Sequence, residues 1–370
     1  MSGAETAIST QDSDIVADNV AIRPNTSVDI CGELTNNVVG QESAKRQLST
    51  LLAMHLHWFV GHDLSHAAPN ALLIGPTGVG KTHAIGTAAK ILNIPLVVVD
   101  ATRLFPFGDQ GPSLDGVLFE LISAARRLIN EQRVARSANN GDSELSELDE
   151  LEVARRGIIF IDEFDKLVDQ SDSSSSRNQL LQRRLLQFID GATISLNPLP
   201  RAGEEEIIFQ TAGLLFVAAG AFTNLKKQAG PRSQNAMRDL NVNTGVTFED
   251  LVHFGFMQEL IARFPVKIEF GELTAADLED ILTNRAVDPT LFYTRYIKSL
   301  GTDVEVTKEA RALIAQQALR FGVGARGLHQ ILFPMLTALS HEIEDKPRPH
   351  FCLDVDEVVR LTDKISGGFK

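Results

Sequence analysis

Lys81 and Thr82 close the run Gly75-Pro76-Thr77-Gly78-Val79-Gly80-Lys81-Thr82, and those residue types at that spacing are built to hold phosphate. Glycines let successive backbone N–H groups turn inward around phosphate oxygens. A helix beginning at the lysine would point its positive end at the same charge. Lys81 would reach the β- and γ-phosphates, and Thr82 would hold Mg²⁺. A second constellation lies downstream, in Gly157-Ile-Ile-Phe-Ile-Asp162-Glu163-Phe-Asp165. An aliphatic strand ending in carboxylates delivers them to the ligand side of a parallel sheet. Asp162 would complete the Mg²⁺ shell, and Glu163 is placed to orient and deprotonate an attacking water. Together the two motifs imply ATP hydrolysis, with Pro76, Thr77, Gly78, Val79, Gly80, Lys81, Thr82 and Asp162 around the nucleotide.

These residues need a scaffold, and the apolar pattern supplies one. The runs Ala71–Ile74, Pro95–Asp100, Gly157–Asp162, Leu214–Ala219 and Pro265–Phe270 read as strands. Four are nearly continuous aliphatic runs, as strands buried on both faces must be. Helices are expected over Gln41–Phe59, Thr82–Leu92, Leu114–Asn130, Asn178–Ile189 and Phe248–Ala262. Strands alternating with helices predict an α/β fold, a five-stranded parallel sheet with helices on both faces. After Phe270 the strand pattern nearly stops. Leu273–Asn284, Pro289–Ser299, Thr307–Phe321 and Ala325–Ile343 suit helices, with a short strand at Phe351–Leu353 and a last helix near Val355–Leu361. The organisation expected is a disordered tail over 1–27, an ATPase domain over 28–270 and a smaller, mainly helical lid over 271–370. The acidic stretch Glu131–Arg155 and the serine-rich stretch Asp169–Ser176 read as loops.

Composition narrows the function further. The net charge of −13 over 370 residues disfavours nucleic-acid backbones as partners. No apolar run approaches a membrane span, and Met1–Val28 lacks the pattern of a secretory leader. Two cysteines, Cys31 and Cys352, fit core packing in a reducing cytoplasm.

Beyond the nucleotide motifs, three segments carry a resemblance. They are Val38-Val39-Gly40-Gln41-Glu42-Ser43-Ala44-Lys45, the run Phe248 to Pro265 containing Ile261-Ala262-Arg263-Phe264, and Gly324-Ala325-Arg326-Gly327-Leu328. In this order and at these separations the chain resembles a ClpX-type AAA+ ATPase of the Clp/HslU unfoldase branch, from about Val28 to Leu361. The resemblance implies that Val38 and Val39 pack on adenine. It implies that Arg263 reaches the γ-phosphate held by a neighbouring subunit, and that Arg326 contacts the phosphates of its own. An arginine acting in trans implies a homo-oligomer, and the family's form is a hexameric ring.

The chain also departs from that family. The pore loop that grips polypeptide, Gly-aromatic-hydrophobic-Gly, aligns with Gly108-Asp109-Gln110-Gly111. A carboxylate and an amide cannot make an aromatic's sequence-tolerant apolar contact. Phe105 and Phe107, just upstream, either substitute for the gripping pair or pack the base of the loop. Two cysteines cannot supply the four-cysteine zinc module. Leu225–Thr247 contains no Ile-Gly-Phe tripeptide for docking a peptidase. Val217-Ala218-Ala219-Gly220 offers no polar side chain at the sensor-1 position, leaving Thr223 or Asn224 for that role. The function expected is an ATP-driven remodeller of a specific protein partner, without membrane, nucleic-acid or peptidase partners. The alternative is a nucleotide-gated assembly factor that does not thread its partner.

Overall fold

The computed structural model describes residues 26–61, 68–103, 114–137, 149–168, 175–196, 207–223, 225 and 245–366. In chain order, helices α1 (Ser27–Asn37) and α2 (Glu42–Gly61) precede strand β1 (Ala71–Ile74). Then come α3 (Lys81–Leu92), β2 (Leu96–Asp100), α4 (Leu114–Ser137), α5 (Glu150–Arg155) and β3 (Ile158–Asp162). Helix α6 (Ser175–Ile189), the pair β4 (Thr193–Leu196) and β5 (Ile207–Gln210), and β6 (Leu215–Gly220) follow. Short helices α7 (Phe248–Phe254) and α8 (Gln258–Ile261) lead to β7 (Val266–Glu269). The rest is α9 (Ala275–Thr283), α10 (Thr290–Ser299), β8 (Asp303–Val306), α11 (Lys308–Leu319), α12 (Arg326–Asp345), β9 (His350–Leu353) and α13 (Val355–Ser366).

The five expected strands form one sheet in the order β2-β3-β6-β1-β7, every pair parallel. Strands β1 and β6 are buried along their whole length, which their unbroken aliphatic sequences require. Two hydrophobic cores cover the two faces. One packs Leu72, Val99, Ile161, Phe164 and Phe264 under α4 and α6. The other packs Leu73, Phe160, Val217 and Ile268 under α1, α2 and α3. A third core draws only on residues between Leu273 and Leu361 and belongs to helices α9–α13. Arg360 joins α13 to α12 there through a bidentate pair with Glu342, at 2.6 and 2.9 Å.

The structure differs from several expectations. Phe248–Ala262 is not one helix. Gly255 breaks it at φ 120°, a conformation for glycine, and Val168 fills the space where a Cβ would stand. Glu131–Arg155 is not a loop throughout: α4 continues to Ser137 and α5 begins at Glu150. Thr26 and Ser27 are not tail. They cap and begin α1, with Thr26 and Asp29 exchanging side-chain and backbone hydrogen bonds. Strands β4 and β5 form an antiparallel pair and β8 lies parallel to β9, and none of β4, β5 and β8 was expected. The pore loop 108–111, Phe105, Phe107, Asn224, residues 228–243 and most of the serine-rich stretch lie outside the described residues.

His55 is buried on α2, where its Nε2 donates to the Arg156 carbonyl at 3.0 Å. Burial lowers its pKa from 6.5 to about 4. The folded chain keeps this imidazole neutral while the unfolded chain protonates it below 6.5. Its contribution is therefore whole above pH 6.5 and falls away towards pH 4. Relative to His55→Gln, the wild type should lose about 3 kcal/mol of stability across that window, the 6.5-to-4 shift converted directly. Urea unfolding of both proteins at pH 7, 5.5 and 4 checks this, and parallel pH profiles would refute it.

Candidate nucleotide site

The C-terminal edge of the parallel sheet is where the chemistry-bearing residues meet, as expected for crossover folds. The loop after β1 leads directly into α3, whose first-turn N–H groups have no intrahelical acceptor. Gly78 and Gly80 take φ of 79° and 96°, which turns the loop back on itself. Gly75 lies under Phe270 so tightly that a Cβ there would run into the Phe270 carbonyl. Lys81 is buried and folds back, donating to the carbonyls of Gly75 and, at 2.8 Å, Pro76. Burial pushes its ammonium below the usual lysine range. Asp162 and Asp165 pull it back up, and Arg326 lowers it again.

Strand β3 ends at Asp162, in register with Asp100 of β2. The Thr82 hydroxyl donates to Asp162 Oδ2 at 3.0 Å, so a hydroxyl and a carboxylate stand side by side. That all-oxygen pair fits a hard cation held partly by phosphate and water, and these two residues would hold Mg²⁺. Glu163 follows in the left-handed region at φ 55° and forms an ion pair with Lys166. Asp165 accepts from the Phe222 backbone N–H at 3.1 Å, fixing the chain just beyond β6.

One cavity gathers these groups. It is lined by Thr77, Gly78, Gly80, Lys81, Thr82, Asp162, Glu163 and Arg326 from the expected set. Added to them are His83, Asp165, Lys166, Gly220, Ala221 and Ala325, which sequence reasoning missed. Asp165 closes the second motif without a role having been read for it, and His83 and Lys166 lie just beyond the motifs and could have been found by extending them. The others present only backbone or a methyl group and leave no signature of their own. Among the described residues the cavity takes only Gly220 and Ala221 from the end of β6, and Thr223 is exposed.

Arg326 opens α12 and reaches the cavity because the lid docks directly on the phosphate loop. The Ala325 N–H donates to the Gly78 carbonyl at 3.0 Å. A Cβ on Gly78 would run into Val323, and one on Gly324 (φ 60°) would run into Gly78.

Five expected residues stand apart from this cavity. Val79 is buried in the core and Pro76 contributes only its carbonyl. Val38 is buried among core residues and Val39 is half-buried beside it. Their link to the cavity is indirect: His83, a lining residue, bonds the Asn37 carbonyl at 2.9 Å. Arg263 lies at the other end of the sheet. It precedes β7, and its carbonyl accepts from Asn70, the residue before β1, at 3.1 Å. Its guanidinium is half exposed and pairs with Asp190. Four strand residues, about 13 Å, separate that end from the phosphate loop, so Arg263 cannot serve its own site.

Comparison with known proteins finds similar sequences along most of the chain. The model of the AAA domain (Cdc48 subfamily) matches residues 67–267. The chain is 31% identical over 327 residues to the ATP-dependent Clp protease ATP-binding subunit ClpX 2 of Wolinella succinogenes, covering 85% of this chain and 76% of that one. It is 31% identical over 361 residues to the ClpX subunit of Borrelia duttonii, with 90% and 78% covered. To that of Azotobacter vinelandii it is 29% identical over 371 residues, again with 90% and 78% covered.

Lys81→Ala should remove measurable nucleotide binding, a loss of at least about 100-fold in affinity. Gly78→Ala should also weaken it, by driving the lid off the loop while leaving every polar side chain in place. Titration with a fluorescent ATP analogue checks both, and unchanged affinity in Lys81→Ala would overturn the assignment of the cavity.

Proposed function

The chain belongs to the ClpX-type AAA+ ATPases, enzymes that hydrolyse ATP with Mg²⁺, and from that premise we propose that it remodels or unfolds one specific protein partner. The reading takes 28–270 as the ATPase domain and 271–370 as the lid, working in the cytoplasm as a homo-hexameric ring without a ClpP-type peptidase. What supports it best is the split site: Lys81, Thr82, Asp162, Glu163 and Arg326 line one cavity, while Arg263 stands at the far end of the same sheet.

Each residue then has a task set by its surroundings. Lys81 exchanges the carbonyls of Gly75 and Pro76 for the β- and γ-phosphates. Thr82 and Asp162 would hold Mg²⁺, which would supply positive charge against the phosphates. Glu163 leaves Lys166, orients water and accepts its proton as the oxygen attacks phosphorus and the electron pair of the breaking bond stays on ADP. Arg326 meets the phosphates in cis. Arg263 releases Asp190 and meets the γ-phosphate of the neighbouring subunit. Val38 and Val39 border adenine.

The substrate side is more specialised. Asp109 and Gln110 in the pore loop support selective contact with one partner over a general grip. The same loop favours a second reading, in which ATP state only gates partner binding. The missing Ile-Gly-Phe tripeptide in 225–247 supports work without a peptidase.

Glu163→Gln should bind ATP normally, lose about 100-fold or more in turnover and hold its partner in a stable complex. Arg263→Ala should bind ATP yet lose about 1,000-fold in turnover. Mixing it with Lys81→Ala should recover activity at interfaces that pair an intact loop with an intact arginine, and a flat mixing curve would remove the trans role. Wild type should leave a stable tagged reporter folded. Its robust unfolding would mark a general unfoldase, whereas ATP-dependent partner binding without any unfolding would establish the gating alternative.

A further inference from the structure

The segment Asn36–Gln41 touches the lid, the first turn of α3 and helix α2. The lid's Asn284 side chain donates to the Asn36 carbonyl at 2.9 Å. His83, in the first turn after the phosphate loop, bonds the Asn37 carbonyl at 2.9 Å. Lys45, buried, donates to the Val38 carbonyl at 3.1 Å. Gly40 lies against Asp277 of α9 so closely that a Cβ would stand 2.9 Å from its carboxylate.

Gln41 then reaches 230 residues along the chain to Gly271. Its carboxamide Nε2 donates to the Gly271 carbonyl at 2.8 Å, and its Oε1 accepts from the Gly271 N–H at 2.9 Å. Gly271 lies between β7, the last strand of the sheet, and α9, the first helix of the lid. A side-chain amide meeting both backbone groups of one residue reproduces a rung of a β-ladder and fixes the peptide planes on either side. The conformation needed to aim it is costly. Gly40 and Gln41 take successive φ values of 64° and 59°, and for glutamine the left-handed region is unfavourable.

We propose that Gln41 is a positioning residue for ATP hydrolysis, clamping the Gly271 hinge so that the segment Asn36–Gln41 transmits the state of the phosphate site to the angle of the lid. The route is short, a stretch of chain between two hydrogen-bonded contacts. A shift of α3 at His83 moves Asn37, and Gln41, four residues on, moves the hinge. Arg326 is delivered to the cavity by that angle. The inference rests on the ATPase reading given above, and it assigns to that site the element that closes it.

The chain's two cysteines sit on the two bodies, Cys31 on α1 and Cys352 on β9, and a spin-label pair on them reads the lid angle. Labelled subunits are diluted into subunits carrying Cys31→Ser and Cys352→Ser. Wild type should give a narrow distance distribution that ATP shifts. Gln41→Ala should broaden it without nucleotide, abolish the ATP shift and lower kcat about tenfold, while ATP affinity changes less than about threefold. Gln41→Glu, which keeps the acceptor but loses the donor, should behave likewise and stands in if the alanine variant does not fold. Gly271→Ala keeps both backbone groups, and a Cβ there meets no atom within 4 Å, so its narrow distribution should survive. Gly271→Pro, which removes the N–H, should match Gln41→Ala. A narrow, ATP-responsive distribution with wild-type kcat in Gln41→Ala would overturn the proposal. Absence of ATP hydrolysis by the wild type would instead strike the ATPase reading, since the nucleotide-free width reports the clamp independently.

Discussion

The hydrogen bond from the Ala325 N–H to the Gly78 carbonyl is the constraint on which the site depends. It is a contact between two backbones, and it exists because both glycines, Gly78 and Gly324, leave room for it. Through it the phosphate loop and the start of α12 become one surface, so Arg326 faces the same cavity as Lys81. A looser junction bridged by side chains would let the lid sit at many angles, and the charge balance around Lys81 would vary with each. Close backbone packing limits that freedom.

The electrostatics follow from that closure. Lys81 feels the carboxylates of Asp162 and Asp165 and, against them, the guanidinium of Arg326. Two backbone carbonyls hold its ammonium meanwhile. Glu163 and Arg263 are likewise engaged, with Lys166 and Asp190. These are exchangeable partners. Ion pairs at half-exposed positions are worth little, so phosphate or a water under attack can replace them at small cost. The groups that never exchange are backbone ones, and they set the geometry.

The sheet could be read from sequence because strands buried on both faces must be aliphatic without interruption. The motif residues could be read because their spacing is local. Helix α1 could not, since only Ile30 and Leu34 are buried and two positions make no stripe. The far end of α4, with exposed Arg133 and Val134, has no apolar face to reveal it. Strands β4 and β8 run exposed, half-buried, exposed, buried over only four positions, too short to stand out from a loop. The break at Gly255 depends on Val168, and the clamp on Gly271 depends on Gln41. Both are pairings across long stretches of chain that no local pattern announces.

Strand β1 has a meaning beyond its place in the core. Asn70 before it holds the Arg263 carbonyl, and Gly75 after it begins the phosphate loop. Extended backbone cannot stretch, and two neighbours hold this strand in register along its whole length. It is therefore a ruler. The offset between what a chain receives at one edge and what it offers at the other is set by four peptide units, whatever the loops around it do. Insertions elsewhere in the chain can change what is handled and leave that gauge untouched.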